Sequence, residues 1–505
     1  MDFNLKIMKK NNYFKIVCLS ALVFAGCEKI LLTDPAQSIP PEVALTTTSG
    51  VSALLNAIYT DYGTGGNLGR DRILLPDILA DNVINTSSNN NSYRNPESNQ
   101  PGTTVGNWSQ NYNIILKTNL IIDAVDNGIL IGATTAQSNL FKGEALFFRS
   151  LSYFQLMTSY AYIPGNEVNN FNLGVPIITK PTKTLSDVEF PERNTNVEVY
   201  NLIKADLTAA ILILNNTARP DKAYVSRAVA QALLSKVHLY LKEYDATIAT
   251  ATDVINTTTV NTKSTVITRT GTELVNMWRT YKDKSESLWQ ISKNQPDNFG
   301  TASLQSWFSI YPRPANSGNT GNPARVSFAD LRIAPLLYDL YSNVDIRKTT
   351  LIEGPFTKLG QGGLYFSNKY SGTGGIPGLD DIVVFRTSEV LLNRAEAFAR
   401  KGDAASNLNA ITDINIIRVR SGLIALPPFT TNAAVLAEVL LQRRLELAFE
   451  GDRWFDLVRR RVNVPKQPGG LSSEQFISFD DRRILAQIPI AQTDVNPKLV
   501  QNPGY

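Results

Sequence analysis

The sequence predicts a mainly helical protein, built as a scaffold of tetratricopeptide-like helix pairs with large irregular loop and short-strand insertions. Three observations predict this. Long stretches repeat apolar residues at helical spacing. Two of these stretches share one helix–turn–helix pattern at an offset of 158 residues. Between the helical stretches lie polar segments, rich in aromatic residues, that are too long to be simple connections.

The elements follow in chain order. Lys9, Lys10 and Lys15 form a positive start, and residues 16–26 form an apolar run of signal-peptide length. Met8 offers a second start with a tighter positive region. Ala25 and Gly26 then precede Cys27, a spacing that resembles a bacterial lipobox, with Phe24 where Leu is more usual. Residues 1–26 therefore read as a lipoprotein signal peptide and Cys27 as the lipidated new N-terminus. Residues 27–45 read as a tether, because Asp34, Pro35, Pro40 and Pro41 discourage regular structure. Residues 46–256 read as an N-terminal helical region and residues 257–505 as a C-terminal region with loop insertions, the two forming one intertwined globular unit.

Within the first region, Val51, Leu54, Leu55, Ile58 and Tyr59 mark the first helix. Trp108, Tyr112, Ile115, Asn119 and Ile122 mark another, with Trp108 packing at its start. Residues 136–162 carry a thick apolar face, and 196–214 repeat the theme. Residues 226–256 and 384–414 are the two similar stretches. Their alignment sets Leu233 on Leu391, Val237 on Ala395 and Asp245 on Asp403. Each reads as helix, tight turn, helix, with small residues permitting close contact.

The insertions differ in kind. Residues 81–107 are rich in Asn, Ser, Gly and Thr around Tyr93 and Arg94. Residues 257–322 hold a short strand at Ser287–Ile291 and loops with Trp278, Trp307 and Tyr311, and residues 354–380 are Gly-rich with Tyr365 and Tyr370. Polar loops carrying aromatics suit a sugar- or peptide-binding face, since a ring covers the C–H side of a pyranose while amides and charges bond its hydroxyls.

Composition prunes the alternatives. The 505 residues are 43% hydrophobic and 19% charged, which fits a folded chain. The net charge is +4, of which four lysines and Asp2 in the leader supply +3. The nearly neutral remainder gives no electrostatic case for nucleic acid. His238 is the one histidine, and the two cysteines, Cys18 and Cys27, lie at the start of the chain. Multi-histidine metal sites, histidine triads and cysteine nucleophiles thus have nothing to build on, and no cofactor or metal is expected. His238, among Val237, Leu239 and Leu241, reads as a packed helix residue. The Gly-rich runs at 63–66 and 360–363 lack the setting of a phosphate loop. Glu446 and Glu450 share a helix face with Arg443 and Arg453, and read as a structural ion-pair network; Glu389 and Glu396 read the same way.

Several stretches then resemble one family, SusD/RagB. FKGEALFFRSLSYFQLMTSY (141–160) and LGVPIITKP (173–181) are similar to its helix and Gly-Val-Pro segment. RAVAQALLSKVHLYLKEYDATI (227–248) resembles its next helix pair. Arg386, Glu389, Leu391, Leu392, Ala395 and Glu396 match a further helix, and LLQRRLELAFEGDRWFDLVR (440–459) and the ending Gln501-Asn502-Pro503-Gly504-Tyr505 complete a collinear match over nearly all of the chain after Cys27. Asp452 departs from the family's frequent His, and Glu28 is a thin version of its acidic export signal.

The resemblance implies a non-catalytic outer-membrane lipoprotein facing the cell exterior. It implies capture of oligosaccharides, or of peptides in some members, and delivery to a SusC-like TonB-dependent β-barrel transporter. The ligand contacts expected from type and place are Asp81, Asn82, Tyr93, Arg94, Trp307 and Tyr311. Two rivals stay open: a lipid-anchored glycoside hydrolase, for which Asp81 and Asp297 are the suspects, and a helical adaptor that binds only protein.

Overall fold

The computed structural model describes residues 44–505 except 86–91, 215–218, 220, 258–269, 280–284, 310–329, 359–360, 373–375, 377 and 430. Cys27, the leader, the tether up to residue 43 and Tyr311 lie outside the described residues.

Helices start where side chains supply the donors and acceptors that a helix end lacks. Helix α1 (Thr48–Tyr62) begins where Thr47 accepts from Gly50 N. Helix α2 (Asp71–Leu79) follows a Gly-rich turn, and α3 (Trp108–Asp126) starts with buried Trp108, as its spacing predicts. Helices α4 (Thr135–Tyr160) and α5 (Asn196–Ile213) open on reciprocal capping boxes, Thr134 with Gln137 and Thr195 with Glu198. Helix α4 is the spine. From Gly143 to Tyr160 every residue is buried, because α3 and α5 flank it. Side chains such as Phe147 and Phe148 each contribute roughly 1.5–3 kcal/mol by full burial.

The first helix pair is α6 (Arg227–Tyr240) with α7 (Tyr244–Thr257); α8 (Gly271–Arg279) follows. The second pair is α9 (Thr387–Lys401) with α10 (Ala404–Arg420), capped by Asp403 accepting from Ser406 N. Helix α9 ends on left-handed Gly402, φ 75°, and the turn after α6 holds left-handed Lys242, φ 61°. The pairs are distant in sequence and adjacent in space: α9 lies against both α6 and α7. Helix α11 (Asn432–Leu447) then packs on α9 and α10, and α12 (Arg453–Val458) packs on α2. This is tetratricopeptide-style stacking, interrupted by the insertions.

The strands form antiparallel two-stranded ladders. These are β1 (Val83–Asn85) with β3 (Leu331–Ile333), β2 (Ser287–Ile291) with β6 (Ile382–Arg386), β4 (Ile352–Lys358) with β5 (Gln361–Ser367), and β7 (Val464–Pro465) with β8 (Phe476–Ile477). Strand β2 is buried throughout, with Trp289 among Tyr62, Phe147, Phe148 and Phe385. One apolar core runs from Leu45 to Leu499. Among the described residues no helix is long and apolar enough to cross a membrane.

Two aromatics expected in loops belong to this core instead. Trp278 lies in α8, and Tyr370 packs against it at 6.0 Å between ring centroids; each is 1% exposed. Their polar sequence surroundings hide this, because the surfaces that cover them come from remote residues such as Phe308 and Phe449.

A candidate ligand-binding face

The β1–β3 ladder brings two of the insertions together. Asn85 pairs with Leu331, so the end of β1, ahead of Tyr93, lies beside the start of β3, which follows the 257–322 insertion. Across this junction Tyr93 meets Trp307 edge to face, with centroids 4.8 Å apart. Trp307 sits in a short helical turn, Leu304–Phe308, and is 5% exposed; Tyr93 is half-buried. Tyr93 holds a left-handed backbone, φ 57°, just before the turn Arg94–Glu97. A non-glycine residue at such an angle is held there by its surroundings. The half-buried Arg94 begins that turn, and its carbonyl accepts from Ser98 N at 3.0 Å.

The Tyr93 hydroxyl donates to Asp71 Oδ1 at 2.7 Å, and Arg70 Nε donates to the same oxygen at 2.7 Å. Arg70 also reaches the Ala302 carbonyl at 3.2 Å. Burial, then the Asp71 charge, pushes the Tyr93 phenol up. Burial pulls Arg70 down, but its bonds to Asp71 and Tyr93 win and hold it above its usual value. Next to this cluster Lys293 donates to Gly63 O at 2.8 Å and lies 4.1 Å over the Phe299 ring. Exposed Asn294, Gln295 and Asp297 extend the rim. Aromatic edges, a fixed ion pair and exposed amides can bind a polyhydroxylated or peptide ligand.

Arg70, Asp71, Lys293 and Phe299 were not among the residues expected from the sequence. The one local signal was the Gly-rich run at 63–66, where Gly65 lies against the Arg70 guanidinium.

Asp81 and Asn82 lie beneath the face, 3% and 1% exposed. Arg453 grips the Asp81 carboxylate with two bonds, at 2.6 and 3.0 Å, and Arg444 reaches it at 2.9 Å. Burial would raise this carboxyl, but Arg453 and Arg444 hold it below its ordinary value. Asn82 Nδ2 donates to Asp77 at 2.6 Å, and its Oδ1 accepts from Arg444 at 3.1 Å. These two residues fasten the start of β1 to α11 and α12.

The aromatic pair Tyr338–Tyr365 is stacked at 4.0 Å, but both sides are covered. Lys348 lies 4.2 Å over Tyr338, and Gly354 backs Tyr365 so closely that a Cβ there would come within 2.8 Å of its ring. The pair therefore braces β4–β5.

The acidic helices hold buried ion pairs. Glu446 meets Arg420 at 2.6 Å, Arg386 at 2.8 Å and Arg347 at 3.2 Å. Glu450 takes Arg386 and Lys369, both at 2.6 Å. The expected partners of these glutamates were Arg443 and Arg453. Arg443 instead meets Asp452 at 2.6 Å and Asp456 at 2.9 Å, and Arg453 meets Asp81. The network is real, but its pairs are set by which helices pack together, not by spacing along one helix. Glu389 pairs with Lys236 and Glu396 with Arg459. Burial would raise Glu446, yet Arg420, Arg386 and Arg347 hold it well below the usual carboxylate range. His238 is part-buried in α6 and bonds Glu243. Among the described residues no group of three or more His, Cys, Asp or Glu is placed to hold a metal ion.

Comparison with known proteins gives consistent relatives. A family model described as "SusD family" matches residues 363–505, and one described as "Starch-binding associating with outer membrane" matches residues 38–239. SusD-like protein P38 of Formosa agariphila is 26% identical, covering 97% of this chain and 98% of its own. SusD-like protein P2 of the same organism is 24% identical, covering 99% and 100%. A putative sugar binding protein from Bacteroides vulgatus has the same fold, with a TM-score of 0.76 and 26% identity over 91% of this chain and 99% of its own. A SusD superfamily protein from Bacteroides thetaiotaomicron gives 0.76 and 25% identity over 90% and 100%.

Proposed function

The chain belongs to the SusD/RagB family, and from that premise we propose that it is a surface-exposed outer-membrane lipoprotein that binds oligosaccharides and delivers them to a SusC-like TonB-dependent transporter. The observation that carries the ligand role is the meeting of Tyr93 and Trp307 over the Arg70–Asp71 pair, where two polar insertions converge. Tyr93 and Arg94 contact the ligand, while Asp81 and Asn82 act by holding β1 in place. Cys27 carries the lipid, and the tether spans from membrane to domain. Affinity is moderate, because a sugar gives up good water contacts on binding and must be released for transport.

The role is non-catalytic. Of the two hydrolase suspects, Asp81 has its oxygens engaged by Arg453 and Arg444, which leaves it no proton to donate. Glu389, Glu446 and Asp456 are likewise held by cations, Lys236, Arg386 and Arg443 in turn.

Calorimetric titration of residues 28–505 against panels of oligosaccharides and of peptides tests this reading, with the same mixtures assayed for new reducing ends. Heat from an oligosaccharide without products supports it. Heat from peptides alone moves the ligand class to peptide, and new reducing ends overturn the non-catalytic role.

A further inference from the structure

Arg72 stands apart from the other buried arginines. Arg347, Arg386, Arg420, Arg443 and Arg459 each face at least one carboxylate. Arg193 faces none, but its guanidinium is filled by five oxygen acceptors from Gly174, Val500, Asn502, Tyr160 and Leu173. Arg72, 7% exposed, has only two, the neutral hydroxyls of Ser159 at 2.8 Å and Thr158 at 2.6 Å. One face lies 4.3 Å from the Phe455 ring centroid. A guanidinium carries five N–H donors, so most of this one's capacity is unused. Burial pulls its pKa down to about 10, and the groups that act against burial are three tyrosines, Tyr240, Tyr160 and Tyr62, with no carboxylate among them.

Arg72 lines a cavity of about 80 Å³ between α2, α4, α6 and β6. A water-sized occupant needs on the order of 10–15 Å³ of such space, so the cavity has room for more than one. Two further donors line it. Lys236 spends two of its three N–H groups on Glu389 and Asp452, at 2.7 and 2.9 Å. Gln155 is 3% exposed, and its Oε1 has no hydrogen-bond partner. Turning its amide presents an N–H₂ to the same space. Glu450 also reaches the cavity, but both its oxygens are engaged, Oε1 by Lys369 and Arg386 and Oε2 by Arg386.

We propose that this cavity is a binding site for a small monovalent inorganic anion of the halide class, held by the unused N–H groups of Arg72 with Lys236 and Gln155 completing the donor set. Water alone would satisfy the N–H groups but leave a full positive charge unbalanced in a low-dielectric interior, which is costly. A halide does both. The site lies at the joint between the N-terminal helices and the second half of the chain, so its occupant stiffens that joint.

Crystals of the protein grown in sodium bromide, with diffraction measured at the bromine absorption edge, test the proposal. The expected result is an anomalous peak in the cavity beside the Arg72 guanidinium. Water density there without anomalous signal overturns it. In solution the thermal midpoint should rise by a few degrees as bromide replaces gluconate at constant ionic strength. Gln155→Glu places a carboxylate in the cavity without changing its size, so it should abolish both the peak and the bromide dependence. If Gln155→Glu keeps them, the anion is not the counter-ion of Arg72 and the proposal fails. Arg72→Gln, where it folds, should lose both as well.

Discussion

Asn393 Nδ2 donates to Ser235 Oγ at 3.3 Å, and the two residues hold the same position in helix pairs 158 residues apart. Equivalent residues can touch in this way only when the first helix of one pair lies alongside the first helix of the other. Asn393 extends the tie, because its Oδ1 accepts from Arg443 of α11 at 2.8 Å. Helices α6, α9 and α11 are thus linked through one buried amide.

Asn393→Ala should therefore destabilise the protein by about 1–3 kcal/mol, since it leaves a buried hydroxyl and a guanidinium N–H short of partners. Urea unfolding should show a lower midpoint with an unchanged slope. An unchanged midpoint would mean that apolar contact alone holds the stack.

Glu446 is the hub of the second half. Glu446→Gln keeps the shape but removes the charge facing Arg420, Arg386 and Arg347, which should cost roughly 3–5 kcal/mol at neutral pH. The folded-state pKa is depressed, so the stabilisation is present above the unfolded carboxylate value and is lost as pH falls. The stability gap between wild type and variant, measured by denaturant at several pH values, should narrow below about pH 4.5. A gap that widens in acid would exclude this role.

Asp77 predicts the opposite slope. Burial raises its carboxyl to about 7, against the Asn82 bond and the Phe449 and Gly451 N–H groups. Gly451, at φ 83°, packs so closely on α2 that a Cβ would come within 2.8 Å of Ile73 Cα. The folded state binds the proton more tightly, so this contribution is full below the unfolded carboxylate value and is lost as pH rises through 7. Burial raises Glu144 to about 7 as well, so only the comparison with Asp77→Asn isolates the group. Relative to wild type, Asp77→Asn should gain stability between pH 5 and pH 8.

What the sequence made legible is what local chemistry decides. Trp108 at the start of α3 and the repeated helix pair with its tight turn depend on residues a few places apart. Packing across the chain is different. Arg70 matters because it reaches Ala302, 232 residues away, and Glu446 draws Arg386 from 60 residues away rather than Arg443 from the preceding turn. Tyr93 and Trp307 lie in segments far apart in sequence, and only the β1–β3 ladder reveals that they meet.

Cys27→Ala should move the protein from the membrane fraction to the soluble fraction, because acyl chains are the membrane anchor in the proposed role. Fractionation with immunoblotting checks this. Retention in the membrane would point to an anchor other than the lipid.

The proposed binding face can be dissected through Tyr93. Its ring and its hydroxyl do separate work, the ring meeting Trp307 and the hydroxyl donating to Asp71. Tyr93→Phe keeps the ring and frees Asp71 Oδ1, which still pairs with Arg70, so affinity for the oligosaccharide found by titration should change little. Tyr93→Ala removes the ring and should weaken binding by about 0.5–1.5 kcal/mol, roughly two- to tenfold. Trp307 is too buried to offer a face of its own; it positions Tyr93. Trp307→Ala should therefore lower affinity only where Tyr93 is present, and add little to Tyr93→Ala. A double-mutant cycle by calorimetry reads this coupling. Additive losses would make Trp307 an independent contact, and wild-type affinity in all three variants would move the site away from this face.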